Sequence, residues 1–163
     1  MVAHGLDTYT HVYFYEPEFY VLSNFSAFRL RWKGFDFDTS EHAYHWEKFP
    51  PSNYERFLNA ESECAVAVRG ARSAHDAFRF AYEHNHLVRA DWSIVRVGIM
   101  RDILLTKAQQ HEYVRRKLIE TEDRILVENS WRDGFWGWGP DEKGENMLGK
   151  LWMEIRAALR STP

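Results

Sequence analysis

Hydrophobic positions recur at three- and four-residue spacing most clearly near the C-terminus, at Leu148, Leu151, Trp152, Ile155 and Leu159. That period predicts a helix with one buried stripe. A second stripe, Trp92, Val95, Ile99 and Ile103, follows Asp91, a residue suited to capping a helix start. Another helix is predicted through 111–120, where Val114 and Leu118 fall one turn apart, and weaker patterns suggest helices near 52–59, 61–69 and 74–84. Earlier in the chain the period changes to two. Residues 10–15 favour a strand, and Phe28-Arg29-Leu30-Arg31-Trp32 alternates apolar with basic before Lys33-Gly34 and Phe35-Asp36-Phe37-Asp38. This reads as a hairpin with Phe28, Leu30 and Trp32 on one face. Ile125-Leu126-Val127 is a further short strand, and a first helix over 40–49 is closed by Pro50-Pro51. No repeat, low-complexity tract or linker interrupts the pattern. The expectation is a single domain over 1–163, mainly α (α+β), with a small antiparallel sheet or hairpin near the N-terminus.

Composition narrows the class. At 163 residues, 45% hydrophobic and 28% charged, the chain can bury a real core and is not a disordered sequence. Aromatic content is the departure: 16%, with 7 Trp, 8 Tyr and 11 Phe, more than a core alone calls for and suited to a site that stacks flat rings. A net charge of -3 offers no general attraction for nucleic acid, so phosphate binding has to come from a local Arg/Lys cluster. Cys64 is the only cysteine, which excludes an internal disulfide and a thiolate metal site. No apolar run approaches the roughly 20 residues of a membrane span, and the N-terminal residues show no secretory pattern, so a cytoplasmic location without membrane association is expected.

Candidate chemistry concentrates in two stretches. The first is Thr39–Phe49, T-S-E-H-A-Y-H-W-E-K-F. On a helix, Glu41, Tyr44, His45 and Lys48 share one face while His42, Trp46 and Phe49 share another. A carboxylate one turn from an imidazole and two turns from a cation suits a polar, anionic substrate. Equally, Asp38 can act as N-cap and place Glu41 at the third helical position, where an acid reaches back to the cap. The second stretch is 128–146, E-N-S-W-R-D-G-F-W-G-W-G-P-D-E-K-G-E-N. Its glycines and Pro140 forbid a regular element, yet it holds Trp131, Phe135, Trp136 and Trp138 around Asp133. It reads either as a ring-stacking loop with a second acid or as a cap over the core with Asp133 as a turn residue.

Smaller signals surround these. Leu22-Ser23-Asn24-Phe25-Ser26 is a polar turn in apolar sequence, and Asn24 there suits either an Asx turn or contact with a ribose or base edge. Arg69, Arg72, Arg79 and Arg89 form a basic set from which one or two can clamp phosphate. Glu41 and His45 at i, i+4 have a metal-binding spacing but no third ligand in sequence. No H-E-x-x-H, G-x-G-x-x-G, P-loop or G-x-S-x-G is present, and Cys64 in C-A-V-A-V reads as buried.

Five pieces in order resemble the NADAR, or YbiA-like, family: S-N-F at 23–25, S-E-H-x-Y followed by K-F within 40–49, R-x-D-W at 89–92, D-x-x-W-G-x-G at 133–139, and G-E-N-x-L-G-K-L-x-M-E-I-R at 144–156. The resemblance spans nearly the whole chain. It implies a compact multihelical N-glycosidase that cleaves the bond between a ribose carbon and a nitrogen, without metal or cofactor. Its implied substrates are phosphoribosylamino intermediates of riboflavin synthesis or ADP-ribose on guanine, so the partner is a nucleotide-like small molecule or ADP-ribosylated guanine in nucleic acid. Motif by motif, Glu41 is implied as the acid, with Trp92 and Asp133 completing the catalytic set. Asn24, Phe25, Tyr44, Lys48, Arg69 or Arg72, Trp136 and Asn146 are implied to bind substrate. Two departures bear on leaving-group specificity: His45-Trp46 stands where members carry Gln-Ala, and the interval from Glu41 to Trp92 is longer. A pocket that senses ADP-ribose or an NAD-related nucleotide without hydrolysing it is the alternative, since the same aromatic and basic residues serve it.

Overall fold

A computed structural model describes residues 6–14, 17–49 and 60–161. The helix expected near 52–59 and the Pro50-Pro51 break lie outside them. Contacts sort the chain into two compact units: Ala27–Thr106, and the terminal segments up to Ser26 and from Lys107 onward.

The middle unit opens with the expected hairpin. β1 is taken as His11–Tyr13 in the terminal unit; here β2 (Leu30–Trp32) pairs antiparallel with β3 (Phe35–Phe37) in the register Leu30↔Phe37, Arg31↔Asp36, Trp32↔Phe35. Lys33 and Gly34 both take positive φ, 47° and 87°, the shape a two-residue hairpin turn needs to match strand twist. Leu30 and Phe37 are buried, while Arg31 and Asp36 pair across the exposed face at 3.4 Å. Arg29 and Asp38 continue that ladder at 2.9 Å.

Three helices follow: α1 (Ser40–Trp46), α2 (Ala60–Arg69) and α3 (Ala74–Glu83), mutually packed. Every residue of α1 is buried. The pairing of Asp38 with Arg29 overturns the expected cap: Thr39 is the N-cap, its hydroxyl accepting from the His42 N–H at 3.3 Å. The helix also ends at Trp46, short of Phe49, with Glu47 as C-cap. α2 buries Cys64, Ala65 and Val68, and α3 buries Ala74, Ala77 and Ala81, small side chains that let helices approach closely. His42 ties α1 to the α2–α3 connection, its Nε2–H donating to the Ala71 carbonyl at 3.1 Å and its Nδ1 facing the Thr39 hydroxyl at 2.8 Å. Buried Glu47 anchors α1 to the hairpin, accepting from Trp32 Nε1 and facing Lys33 Nζ at 2.7 Å. α4 (Trp92–Gln110) begins in this unit. Asp91 occupies its cap position, with its carbonyl accepting from Ile94 and Val95.

In the terminal unit β1 lies parallel to β4 (Ile125–Val127), in the register His11↔Ile125, Val12↔Leu126, Tyr13↔Val127. Both strands were expected; their parallel pairing was not, because partners so far apart in sequence leave no turn signal. α5 (Glu112–Glu120) and α6 (Met147–Ser161) pack with them, burying Val114, Leu118, Leu148, Leu151, Trp152 and Ile155. Leu159 is only half-buried. α6 lies so close to β4 that a Cβ on Gly149 would clash with the Leu126 carbonyl oxygen. Among the described residues no helix is long and apolar enough to cross a membrane.

Candidate active site

In the middle unit the cap by Thr39 leaves Glu41 in the first turn of α1 with its carboxylate turned along the helix, not back to a cap. Its Oε1 meets His45 Nε2 at 2.7 Å, and both side chains are buried. Burial pushes the His45 imidazole below the ordinary histidine range, against the opposing pull of Glu41. His45 is therefore neutral near pH 7 and donates Nε2–H to a carboxylate. Among the described residues Nδ1 of the same ring is buried and meets no hydrogen-bond partner. No group of three ligand-type side chains gathers among the described residues.

Tyr44, one residue before His45, packs on Trp92 with ring centroids 5.0 Å apart. The Lys48 ammonium lies over both rings, 5.6 Å from Tyr44 and 5.7 Å from Trp92. Burial lowers its pKa from the ordinary lysine value, with Glu41 pulling it up and Arg96 adding to the fall. The R-x-D-W motif explains how Trp92 arrives there. The Arg89 N–H donates to the Lys48 carbonyl at 3.0 Å, its guanidinium clamps Asp91 at 2.6 and 2.9 Å, and its carbonyl accepts from the Trp92 N–H. Carboxylate, imidazole, ammonium and two rings thus come together from α1 and the start of α4. This is a buried acid near a cation that lies over two packed rings.

The remaining candidates are placed differently. Arg79 pairs with Asp76 at 3.1 Å, and the Arg69 guanidinium lies 5.0 Å over the Phe35 ring. Arg72 is exposed just before Ser73, the N-cap of α3. In the terminal unit Asn24 is buried and Phe25 exposed on the expected turn, where the Ser23 hydroxyl accepts from the Phe25 N–H and the Ser26 hydroxyl donates to the Ser23 carbonyl at 2.7 Å. Asp133 is an Asx-turn residue: its Oδ1 accepts from the Phe135 and Trp136 N–H groups, each at 2.8 Å. Trp136 is half-buried against Phe135, whereas Trp131 is exposed with Arg132 stacked over it at 4.2 Å. Asn146, at φ 49°, spends its amide on backbone, accepting from the Glu128 N–H at 2.9 Å and donating to the Leu126 carbonyl at 2.8 Å.

Sequence reasoning passed over two features. Lys107 is fully buried, its ammonium donating to the Ser23 carbonyl at 2.9 Å and the Ser26 hydroxyl at 2.8 Å, so it fastens the turn that carries Asn24. Its position one turn after Ile103, on the buried stripe of α4, was the available signal. The other is an aromatic row on α3, at His75, Phe78 and Tyr82, whose i, i+3, i+7 spacing was visible in the chain.

A mostly helical chain with a small hairpin and a buried acid–imidazole pair beside caged lysine defines the class. The chain belongs to the NADAR domain family, whose model matches residues 13–160. It is 32% identical over 152 residues to an N-glycosidase of Nostoc punctiforme, covering 92% of this chain and 93% of that protein. It is 32% identical over 153 residues to the N-glycosidase YbiA of Escherichia coli, covering 94% and 89%. A riboflavin biosynthesis protein of Vibrio vulnificus is 35% identical over 152 residues, covering 91% of this chain but 38% of the larger protein. The fold matches the NMR structure of Escherichia coli YbiA with a TM-score of 0.78 at 31% identity, over 93% of this chain and 85% of that one.

Proposed function

We propose that the chain is an N-glycosidase that hydrolyses the bond between a ribose carbon and a nitrogen. The observation that carries this is the buried Glu41 carboxylate, oriented by neutral His45 and flanked by Tyr44, Trp92 and Lys48. As the C–N bond lengthens, the sugar gains oxocarbenium character, which a fixed carboxylate in a low-dielectric site stabilises far better than water does. His45 takes one carboxylate oxygen and leaves the other for the substrate. Glu41 then accepts a proton from the water whose oxygen bonds to the anomeric carbon and passes it to the departing nitrogen, which keeps the bonding pair. Lys48 supplies the cation for an anionic group on the substrate, and Trp92 with Tyr44 walls the sugar.

Asn24, Phe25, Asp133 and Trp136 are assigned to substrate recognition by their motif positions, as is an arginine at 69 or 72. Asn146 is assigned to holding the loop that carries Asp133. One relative is named for riboflavin biosynthesis; the finer substrate, a phosphoribosylamino pyrimidine of that pathway or ADP-ribose joined to guanine, is what the family resemblance implies. A mass-spectrometric hydrolysis assay over both, comparing wild type with Glu41→Gln, tests the reading. Release of free base or amine by wild type, lost by at least a thousandfold in the variant, is expected. Equal turnover by the variant removes Glu41 from the mechanism; a thermal shift on adding ADP-ribose with no release makes the chain a binding module.

A further inference from the structure

α3 is built the reverse of an ordinary amphipathic helix. Its inward side is Ala74, Ala77 and Ala81, while its large rings face water: Phe78 is 44% exposed and Tyr82 74%. Burying a phenylalanine is worth about 1.5–3 kcal/mol, and at Phe78 the fold leaves a little under half of that unused. The exposed rings are also ordered. Phe78 and Tyr82 lie with centroids 6.4 Å apart and planes 19° from parallel, and His75 adds a third ring 6.2 Å from Phe78 at 29°. At the inner end Phe78 meets the His45 ring edge-on, 5.7 Å away at 70°, and His45 is the residue hydrogen-bonded to Glu41.

We propose that His75, Phe78 and Tyr82, with His45 at their inner end, form a stacking subsite for the flat nitrogen heterocycle that leaves when the N-glycosyl bond breaks. This rests on the N-glycosidase reading and says where the leaving group goes. Three observations favour an uncharged ring over a phosphate or a sugar. The row presents π-faces and apolar area. The cation on the same side of α3, Arg79, is already paired with Asp76. The row also meets, through Phe78, the His45 ring that is hydrogen-bonded to Glu41, which puts it one side chain away from the acid assigned to the glycosyl carbon. Stacking of this kind tolerates different bases, because every heterocycle has a π-face.

The test is equilibrium binding of two soluble free bases, 2,6-diaminopurine and 5-aminouracil, with ribose 5-phosphate as the sugar-side control. The proteins are wild type, Phe78→Leu, Tyr82→Leu, the double variant, and Phe78→Trp, which keeps a ring at the position. The expected result is a loss of base affinity of about tenfold in Phe78→Leu, more in the double variant, with little change in Phe78→Trp and none in ribose 5-phosphate binding. Base affinities that are unchanged in the double variant, that fall together with the sugar-side affinity, or that are absent in wild type overturn the subsite. Hydrolysis measured in parallel separates the two claims. Ring-dependent base binding with no N-glycoside turnover sinks the enzymatic reading alone; turnover with base binding indifferent to both rings sinks the subsite alone.

Discussion

Replacing Lys107 by methionine keeps an unbranched apolar stem, one atom shorter, and removes the charge, and the consequence can be worked from the fold. The ammonium is fully buried, and desolvation lowers its pKa from 10.5 to about 7, with Glu128 the opposing charge. Between those two values the unfolded chain holds a proton that the folded chain has given up. Stability conferred by this site therefore rises with pH across that window and is flat below it. The full span is worth roughly 5 kcal/mol at about 1.36 kcal/mol per unit, and the portion between pH 7 and pH 9 about 2 kcal/mol. Urea unfolding of wild type and Lys107→Met in that range isolates the effect, because other titrations cancel in the difference. Wild-type stability should gain about 2 kcal/mol on the variant between pH 7 and 9. A difference that stays flat, or moves the other way, refutes the inference that Lys107 sheds its proton inside the fold. The neutral amine keeps its contact with the Ser26 hydroxyl. The turn bearing Asn24 is therefore expected to survive deprotonation but to loosen in Lys107→Met, raising KM more than it lowers kcat.

The other expectations are briefer. His45→Leu removes the one hydrogen-bond donor that the described residues give the Glu41 carboxylate; kcat/KM should fall about ten- to a hundredfold, and near-normal turnover would separate His45 from Glu41 function. Gly149→Ala places a methyl against the Leu126 carbonyl and should cost about 3 kcal/mol or more, read by denaturant unfolding; near-wild-type stability would contradict the close approach of α6 to β4. Thr39→Ala should cost about 1 kcal/mol whereas Asp38→Ala should cost little, since Thr39 caps α1 and Asp38 sits in an exposed pair; the reverse order would restore Asp38 as the cap.

Elements whose signal is local were legible in the chain. The hairpin is set by alternation plus Lys33-Gly34, and α6 by its apolar period. Partners brought together by long-range packing were not. The β1–β4 pairing joins strands with most of the chain between them, and each strand is too short to carry a register of its own. The error at Asp38 shows the same thing at closer range. By propensity it caps as well as Thr39 does, but the hairpin ladder extends one pair beyond its strands and Arg29 claims the carboxylate. The cap moves one residue along, and that displacement frees Glu41 from the capping role its spacing suggested.

The acid's environment, not its position in a motif, is then what separates it from the second acid. Glu41 lies on a fully buried helix beside a neutral imidazole, and its described hydrogen bond comes from a side chain whose other nitrogen is unspent. Asp133 has one oxygen committed to two backbone N–H groups that hold its loop in shape. An oxygen that already accepts two backbone N–H groups has its lone pairs spent on the loop. A carboxylate held by one neutral donor keeps its other oxygen for a substrate or a water. Under the proposed mechanism that contrast assigns the proton transfer to Glu41 and a positioning part to Asp133, so Asp133→Asn should lower kcat/KM, and by less than Glu41→Gln does. A larger loss of kcat/KM in Asp133→Asn than in Glu41→Gln would reverse the two roles.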